Sequence, residues 1–174
     1  ESEYPVPGTI YGVSKLYAEK LGEYIAHKTG LNVVSLRLAR IFGHGERDSV
    51  VFTKYMKLAL KGETLQVWGE GKTSIEYLYI KDCVDAIENA VKNQIPSGIY
   101  NVGVNNSYSV LEVAELINKV CGNQGNIFID QSKLEGGYHL QMNSSKFYKT
   151  LKWQPKWSLH DAISEMCELY KEEK

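Results

Sequence analysis

Nowhere in this chain does a Gly-x-Gly-x-x-Gly or Gly-x-x-Gly-x-x-Gly run follow a strand pattern. The backbone cradle that a dinucleotide-binding fold sets around a pyrophosphate is therefore not encoded here. Neither sign of charge dominates: 20 basic residues stand against 21 acidic ones, a net charge of -1. With no basic stripe, nucleic acid is disfavoured as a partner. No apolar run reaches membrane-spanning length, so no membrane partner is expected. Cysteine is scarce. Cys83, Cys121 and Cys167 lie far apart, none has a metal-ligand spacing, and the odd count speaks against a disulfide framework. The expectation is three reduced, buried thiols in a cytoplasmic protein, and no metal. Internal repeats and low-complexity linkers are absent too. The first residue is Glu1 rather than Met, which reads as a piece or a processed product and leaves a lost targeting segment open.

What remains is ordinary globular composition, 43% hydrophobic and 24% charged over 174 residues, enough for a real core. Val13, Leu16, Tyr17, Leu21, Tyr24 and Ile25 recur at helical spacing over residues 11–29, and Gly30 is a natural stop. The β-branched, apolar run from Asn32 to Leu38 reads as a buried parallel strand. Residues 41–45 read as a loop, and Asp48 or Ser49 as the cap of a helix running to about Leu60. Leu65–Trp68 and Ile75–Ile80 read as two strands joined by a turn at Gly69-Glu70-Gly71-Lys72. A helix from Asp82 to Val91 follows, then a short strand over 99–103. Ser109 with Glu112 forms a capping box for a helix through Val120. A strand at 127–129 and a helix from Ser144 or Ser145 to about Leu151 come next, and Trp153-Gln154-Pro155 is a rigid break. Ser158 with Asp161 caps a last helix carrying Ile163, Met166, Cys167 and Tyr170 on one face.

Tyr11 and Lys15 are the candidate catalytic pair. Four residues apart on a helix, they share one face. An ammonium beside a phenol favours the phenolate, a base able to take a proton from an alcohol. Spacing alone says little, because Tyr-x-x-x-Lys recurs at Tyr24/Lys28, Tyr77/Lys81, Tyr148/Lys152 and Tyr170/Lys174. Tyr11 differs in its surroundings. A loop with Pro5 and Pro7-Gly8 precedes it, the small residues Gly12, Ser14 and Ala18 let a ligand approach, and an apolar strand follows.

Several motifs stand in a fixed order. They are Pro7-Gly8-Thr9-Ile10-Tyr11-Gly12-Val13-Ser14-Lys15, Leu36-Arg37-Leu38-Ala39-Arg40-Ile41-Phe42-Gly43, Trp68-Gly69-Glu70-Gly71-Lys72 with Tyr77-Leu78-Tyr79-Ile80-Lys81-Asp82, Gly98-Ile99-Tyr100-Asn101-Val102-Gly103, and Leu151-Lys152-Trp153-Gln154-Pro155. In this series, covering essentially the whole chain, the sequence resembles the C-terminal half of an extended short-chain dehydrogenase/reductase of the NAD-dependent epimerase/dehydratase family. The resemblance implies an α/β fold: the C-terminal part of a Rossmann-type doubly wound fold plus its small α/β substrate-binding domain. Residues 1–45 would be a remnant of the NAD(P)-binding domain, with the catalytic helix and the next strand. Residues 46–174 would be the substrate domain, with the strand at about 99–103 returning to the Rossmann sheet.

The same resemblance implies function. The parent protein would be an NAD(P)-dependent nucleotide-sugar epimerase or dehydratase acting by transient oxidation of a sugar hydroxyl, while this portion alone would neither bind NAD(P) tightly nor turn over. Tyr11 would take the hydroxyl proton while hydride passes to the cofactor. Lys15 would favour the phenolate and hydrogen-bond the nicotinamide ribose. Leu38 would lie against nicotinamide and Arg40 against substrate. Gln66, Val67 and Trp68 would pack on the nucleotide base. A homo-oligomer through the first helix is expected. Three departures bear on substrate. Many members have Asn at Arg40, Arg at Ile75, and a second phosphate-binding Arg near His139, where residues 134–141 have none. An extended dehydrogenase or reductase on a non-nucleotide carbonyl therefore stands as an alternative, as does a non-catalytic module.

Bland readings stand beside these. Arg40 is equally well a solvated or ion-paired arginine, Trp68 a half-buried strand aromatic, and the Gly69–Lys72 loop a plain turn rather than a phosphate site. His44 and His139 read as solvated or structural, with no orienting partner visible.

Overall fold

The computed structural model describes residues 5–172; Lys174, and with it the Tyr170/Lys174 spacing, lies outside them. Helix α1 spans Ile10–Thr29. Thr9, extended at its N-cap, accepts a hydrogen bond from the Gly12 amide through its side chain, and Gly30 closes the helix in the left-handed region at φ 72°. Strand β1 (Val34–Leu38) follows and pairs in parallel with β6 (Gly98–Val102), Val34 opposite Gly98 and Leu38 opposite Val102.

Ala39 is a fork. Its amide still donates to the Val102 carbonyl, but the next amide, that of Arg40, donates to Glu76 instead. The chain then runs as β2 (Arg40–Phe42) in parallel with β5 (Tyr77–Tyr79). The stretch 41–45, expected as loop, thus begins as strand, because Ile41 and Phe42 find open ladder partners in β5. Helix α2 (Val51–Ala59) carries no side-chain cap. Asp48, the expected cap, pairs with Lys57 at 2.6 Å instead.

The expected hairpin does not form. Strand β3 (Leu65–Trp68) pairs in parallel with β8 (Ile127–Asp130), while β4 (Ser74–Ile75) lies between β7 (Tyr108–Ser109) and β9 (His139–Leu140). The Gly-rich loop between them wraps a carboxylate. Glu135 accepts from the amides of Glu70 and Thr73, both at 3.2 Å, and these amides hold its carboxyl below the usual carboxylate range. A sequence scan sees the turn residues but not this distant acid.

Helix α3 (Ile80–Lys92) begins inside the stretch read as strand. Its buried Asp82 accepts from the amides of Lys156 and Trp157, and Asp85 accepts from Trp153 Nε1 and pairs with Lys156. Two acids on one helix turn thereby hold the break after α5 (Ser145–Leu151). Helices α4 (Val110–Cys121) and α6 (Leu159–Glu172) complete the chain. The Ser109–Glu112 capping box is present in full, and Ser158 Oγ accepts from the Asp161 amide.

Two buried clusters result. One gathers Phe42, Phe52, Met56, Leu65, Val67, Ile117, Ile163 and Met166 between α2, α4, α6 and β3. The other joins Ala39, Leu78, Ala86, Tyr100, Val102, Phe147 and Trp153. Each fully buried aliphatic contributes about 1.5–3 kcal/mol.

The cysteine expectation is corrected. Cys121 at the end of α4 and Cys167 on α6 form a disulfide, leaving Cys83 as the buried free thiol. An odd count of three does not forbid one pair, and the packing of α4 against α6 brings these two together. The bridge closes a separation of 46 residues. Reduction should therefore lower stability by up to about 4 kcal/mol on a chain-entropy basis. Thermal melts with and without reductant check this, and Cys167→Ala should melt like the reduced protein.

Candidate active site

Thr9 sets the first turn of α1, and that turn presents Tyr11 outward. Gly12 follows because a Cβ there would come within 2.9 Å of Pro7 Cβ. Tyr11 is 72% exposed. The Lys15 ammonium stands over its ring, 5.2 Å from the centroid, close enough for the cation to interact with the aromatic face. Both line a cavity of about 620 Å³ between α1 and β1, together with Glu19, Arg37, Leu38, Ala39 and Arg40.

The cavity sits where β1 leaves β6 and the chain takes up β5. Open α/β sheets bind ligands at such places, beyond the carboxyl ends of strands whose neighbours diverge. Arg40 lies just past the fork and is ion-paired with Glu46. Burial pushes the neighbouring Tyr77 phenol up to about 12, with the Arg40 charge pulling the other way.

Beneath Arg40 is a buried carboxylate. Glu76, 2% exposed, accepts from the amides of Asn105 (2.7 Å), Met142 (2.6 Å) and Val104 (2.5 Å). Its own carbonyl holds the Arg40 amide at 3.1 Å. Gly103 must be glycine here, since a Cβ would lie 2.7 Å from Glu76 Cδ.

The cavity thus brings together Tyr11, Lys15, Leu38 and Arg40, but not Gln66, Val67 or Trp68. Val67 is wholly buried, so its side chain cannot meet a nucleotide base; the alternation of β3 turns it into the core. Gln66 is hydrogen-bonded to Asp130 at 2.9 Å, and Trp68 is 54% exposed. Ile75 lies opposite Tyr108 and Leu140. His139 does have a partner, contrary to expectation: its Nδ1 is 2.7 Å from Ser74 Oγ, across the β4–β9 register. His44 packs its ring on Tyr170, centroids 4.6 Å apart.

Four acidic or basic residues at this site escaped the sequence reading: Glu19, Arg37, Glu46 and Glu76. One left a signal. Arg37 is a lone charge inside a run read as buried strand, and a buried charge needs a partner.

The profile of the NAD dependent epimerase/dehydratase family matches residues 1–103. The chain belongs to that family. Its relatives include an uncharacterized UDP-glucose epimerase, YtcB, of Bacillus subtilis, 28% identical over 91% of this chain and 50% of the relative. A GDP-L-fucose synthase of Sinorhizobium fredii is 25% identical over 92% of this chain and 54% of the relative. Among solved structures, the UDP-N-acetylglucosamine 4-epimerase of Bacillus cereus superposes with a TM-score of 0.89 at 30% identity, covering 98% of this chain and 57% of that one. The chain therefore spans about half the length of the epimerase/dehydratase relatives it matches. The Rossmann-type α/β architecture expected for the family's C-terminal portion is the one found.

The residues at the fork suit one end of the family's cofactor. A phenol, an ammonium and an aliphatic side chain, Tyr11, Lys15 and Leu38, share one open cavity. They fit the nicotinamide end. Among the described residues, no glycine-rich strand-to-helix turn is present for the pyrophosphate.

Proposed function

We propose that this chain is the C-terminal portion of an NAD(P)-dependent nucleotide-sugar epimerase or dehydratase. One observation carries the proposal: the exposed Tyr11 phenol, with Lys15 over its ring, faces the same cavity as Leu38 and Arg40. Tyr11, Lys15 and Leu38 would hold the nicotinamide end of NAD(P). Bound there, the cofactor supplies a hydride acceptor.

The chain's own residues do the rest. Tyr11 Oη takes the proton from the sugar hydroxyl as general base. The Lys15 ammonium stabilises the negative charge on that oxygen. Arg40 faces the substrate, its guanidinium held by Glu46 and its backbone by Glu76. Gln66 and Trp68 are proposed to meet the nucleotide base from β3. Isomerase and lyase outcomes share this first step. The dividing line at about residue 45 between cofactor and substrate portions is part of the same proposal, with β6 assigned to the cofactor side by its pairing with β1. The names of the relatives, which pair UDP or GDP with a sugar, support a nucleotide sugar as substrate.

The test uses the full-length protein with NAD or NADP and a panel of UDP-, GDP- and dTDP-sugars. Conversion of at least one to an epimer or a 4-keto product supports the proposal. A second reading has its own observation: Ile75 sits among Tyr108 and Leu140, and residues 134–141 contain no arginine, so the usual phosphate contacts are missing. If no nucleotide sugar binds and a simple carbonyl compound is reduced, that reading replaces the first.

Two further properties belong to the proposal. Val13, Tyr17, Leu21 and Tyr24 leave an apolar stripe exposed on α1, and this stripe is proposed to drive self-association. Light scattering should show a dimer or larger species, and a monodisperse monomer contradicts it. The cytoplasm is the proposed compartment. Among the described residues no helix is long and apolar enough to cross a membrane.

A further inference from the structure

Helix α1 has little holding it to the sheet. Gly22 is its one buried residue among those described, where a Cβ would come within 3.0 Å of Val33 Cγ1. Toward the N-terminus, an ion pair also ties α1 to β1. The Glu19 carboxylate receives both Arg37 Nε at 2.8 Å and Arg37 Nη2 at 2.7 Å. This is the two-pronged geometry in which arginine holds a carboxylate most firmly. The side chains are only 14% and 24% exposed, respectively. The guanidinium keeps the Glu19 carboxyl below the usual carboxylate range.

Position gives the pair its meaning. Arg37 lies on β1, one residue before Leu38 and three before Arg40. Glu19 lies on α1 one turn beyond Lys15, which is itself one turn beyond Tyr11. All of these residues line the same cavity. Residues four apart on a helix are neighbours, so a Glu19 side chain released from Arg37 has Lys15 on the same helix face. In the structure its two oxygens are turned to Arg37 instead.

We infer that Arg37 and Glu19 are positioning residues for the Tyr11–Lys15 pair. The inference rests on the catalytic reading given above. The clamp does two things. It fixes the rotation of α1 on β1, and so the place of Tyr11 relative to Leu38 and Arg40. It also engages an acid, one helical turn from Lys15, that would otherwise be free to compete with Tyr11 for the Lys15 ammonium. Remove the arginine and Glu19 turns to Lys15, drawing the cation from the phenol.

This assignment makes the two halves of the clamp unequal. In the full-length protein, Arg37→Met should lower kcat by about 10²-fold, the scale of a small misplacement at a reacting centre, with KM changed less than about threefold. Glu19→Gln should lower kcat only about tenfold, because it loosens the helix without freeing a competitor. The double variant Glu19→Gln/Arg37→Met should recover to the level of Glu19→Gln alone. A purely structural clamp predicts equal losses for the two single variants and no recovery in the double. That outcome, or unchanged kcat in Arg37→Met, overturns the inference.

A second readout needs no catalysis and uses the present chain. Acylation of Lys15 by a limiting anhydride, followed by peptide mass, should be slowed several-fold in Arg37→Met and restored in the double variant. If Lys15 acylation follows this pattern while the full-length protein converts no substrate, the catalytic reading fails and the clamp stands. If Tyr11→Phe abolishes turnover while acylation and kcat ignore Arg37, the clamp fails alone.

Discussion

Replacing Tyr11 by Phe in the full-length protein should remove about 10²–10⁴-fold of kcat, the range a well-placed general base supplies. KM should move little. The ring and its contact with Lys15 survive the change; only the proton-accepting oxygen is lost. Tyr11 is exposed and packs on no core cluster, so the melting temperature should stay near that of the parent. The comparison is informative because Tyr24, on the same helix, has the same lysine spacing and the same ring geometry, with Lys28 Nζ 5.8 Å from its centroid. Tyr24 does not line the Tyr11 cavity. Tyr24→Phe should leave turnover unchanged. Equal effects at the two positions would mean that the place of Tyr11 at the fork confers nothing that a phenol-lysine pair elsewhere on α1 lacks. Unchanged turnover in Tyr11→Phe would favour the non-catalytic module.

Glu76→Ala should be the most damaging single change to the fold outside the apolar clusters. Its carboxylate serves three backbone amides, those of Val104, Asn105 and Met142. Each donor left buried without an acceptor costs about 1–3 kcal/mol. Even with partial relaxation, a loss of at least about 3 kcal/mol is expected, a large share of a domain's marginal stability. Gly103→Ala should be similarly harmful from the other side, by driving a methyl group into the same carboxyl. Chemical denaturation of the two variants measures both effects. The damage should also reach the cavity, because the Glu76 carbonyl is what the Arg40 amide binds.

Elements whose signals are local were legible in the sequence. Apolar spacing and Gly30 mark a helix over residues 11–29, found as Ile10–Thr29, and Ser109 with Glu112 marks the α4 capping box. Helix α6 followed from its buried stripe of Ile163, Met166, Cys167 and Tyr170. What failed was non-local. The Gly69–Lys72 loop looked like a hairpin turn because the sequence shows two strand-like runs around glycines. The partners that decide pairing, β8, β7 and β9, come tens of residues later. Strand β2 was missed because three residues carry too little periodicity, and its existence depends on β5. The disulfide was missed because spacing along the chain does not show that α4 and α6 pack together.

The candidate site divides in the same way. Tyr11, Lys15, Leu38 and Arg40 were singled out from motifs, and the structure brings those four to one cavity. Glu19, Glu46 and Glu76 were not, since an acid on a helix face, in a loop or between two short strands gives no local sign of the partner it holds. Only the fold shows that one clamps a helix, one holds an arginine and one gathers three amides. Val67 shows the opposite error. A motif that spans a strand carries its alternate residues into the core along with those at the surface.

The most direct measurement is a structure of the full-length protein with NAD(P) and a nucleotide sugar, or an unreactive analogue, bound together. A sugar hydroxyl should lie within about 2.6–3.2 Å of Tyr11 Oη, in reach for proton transfer, with its carbon facing the nicotinamide. A sugar whose nearest hydroxyl is held by some other side chain, with Tyr11 turned to solvent, would contradict it.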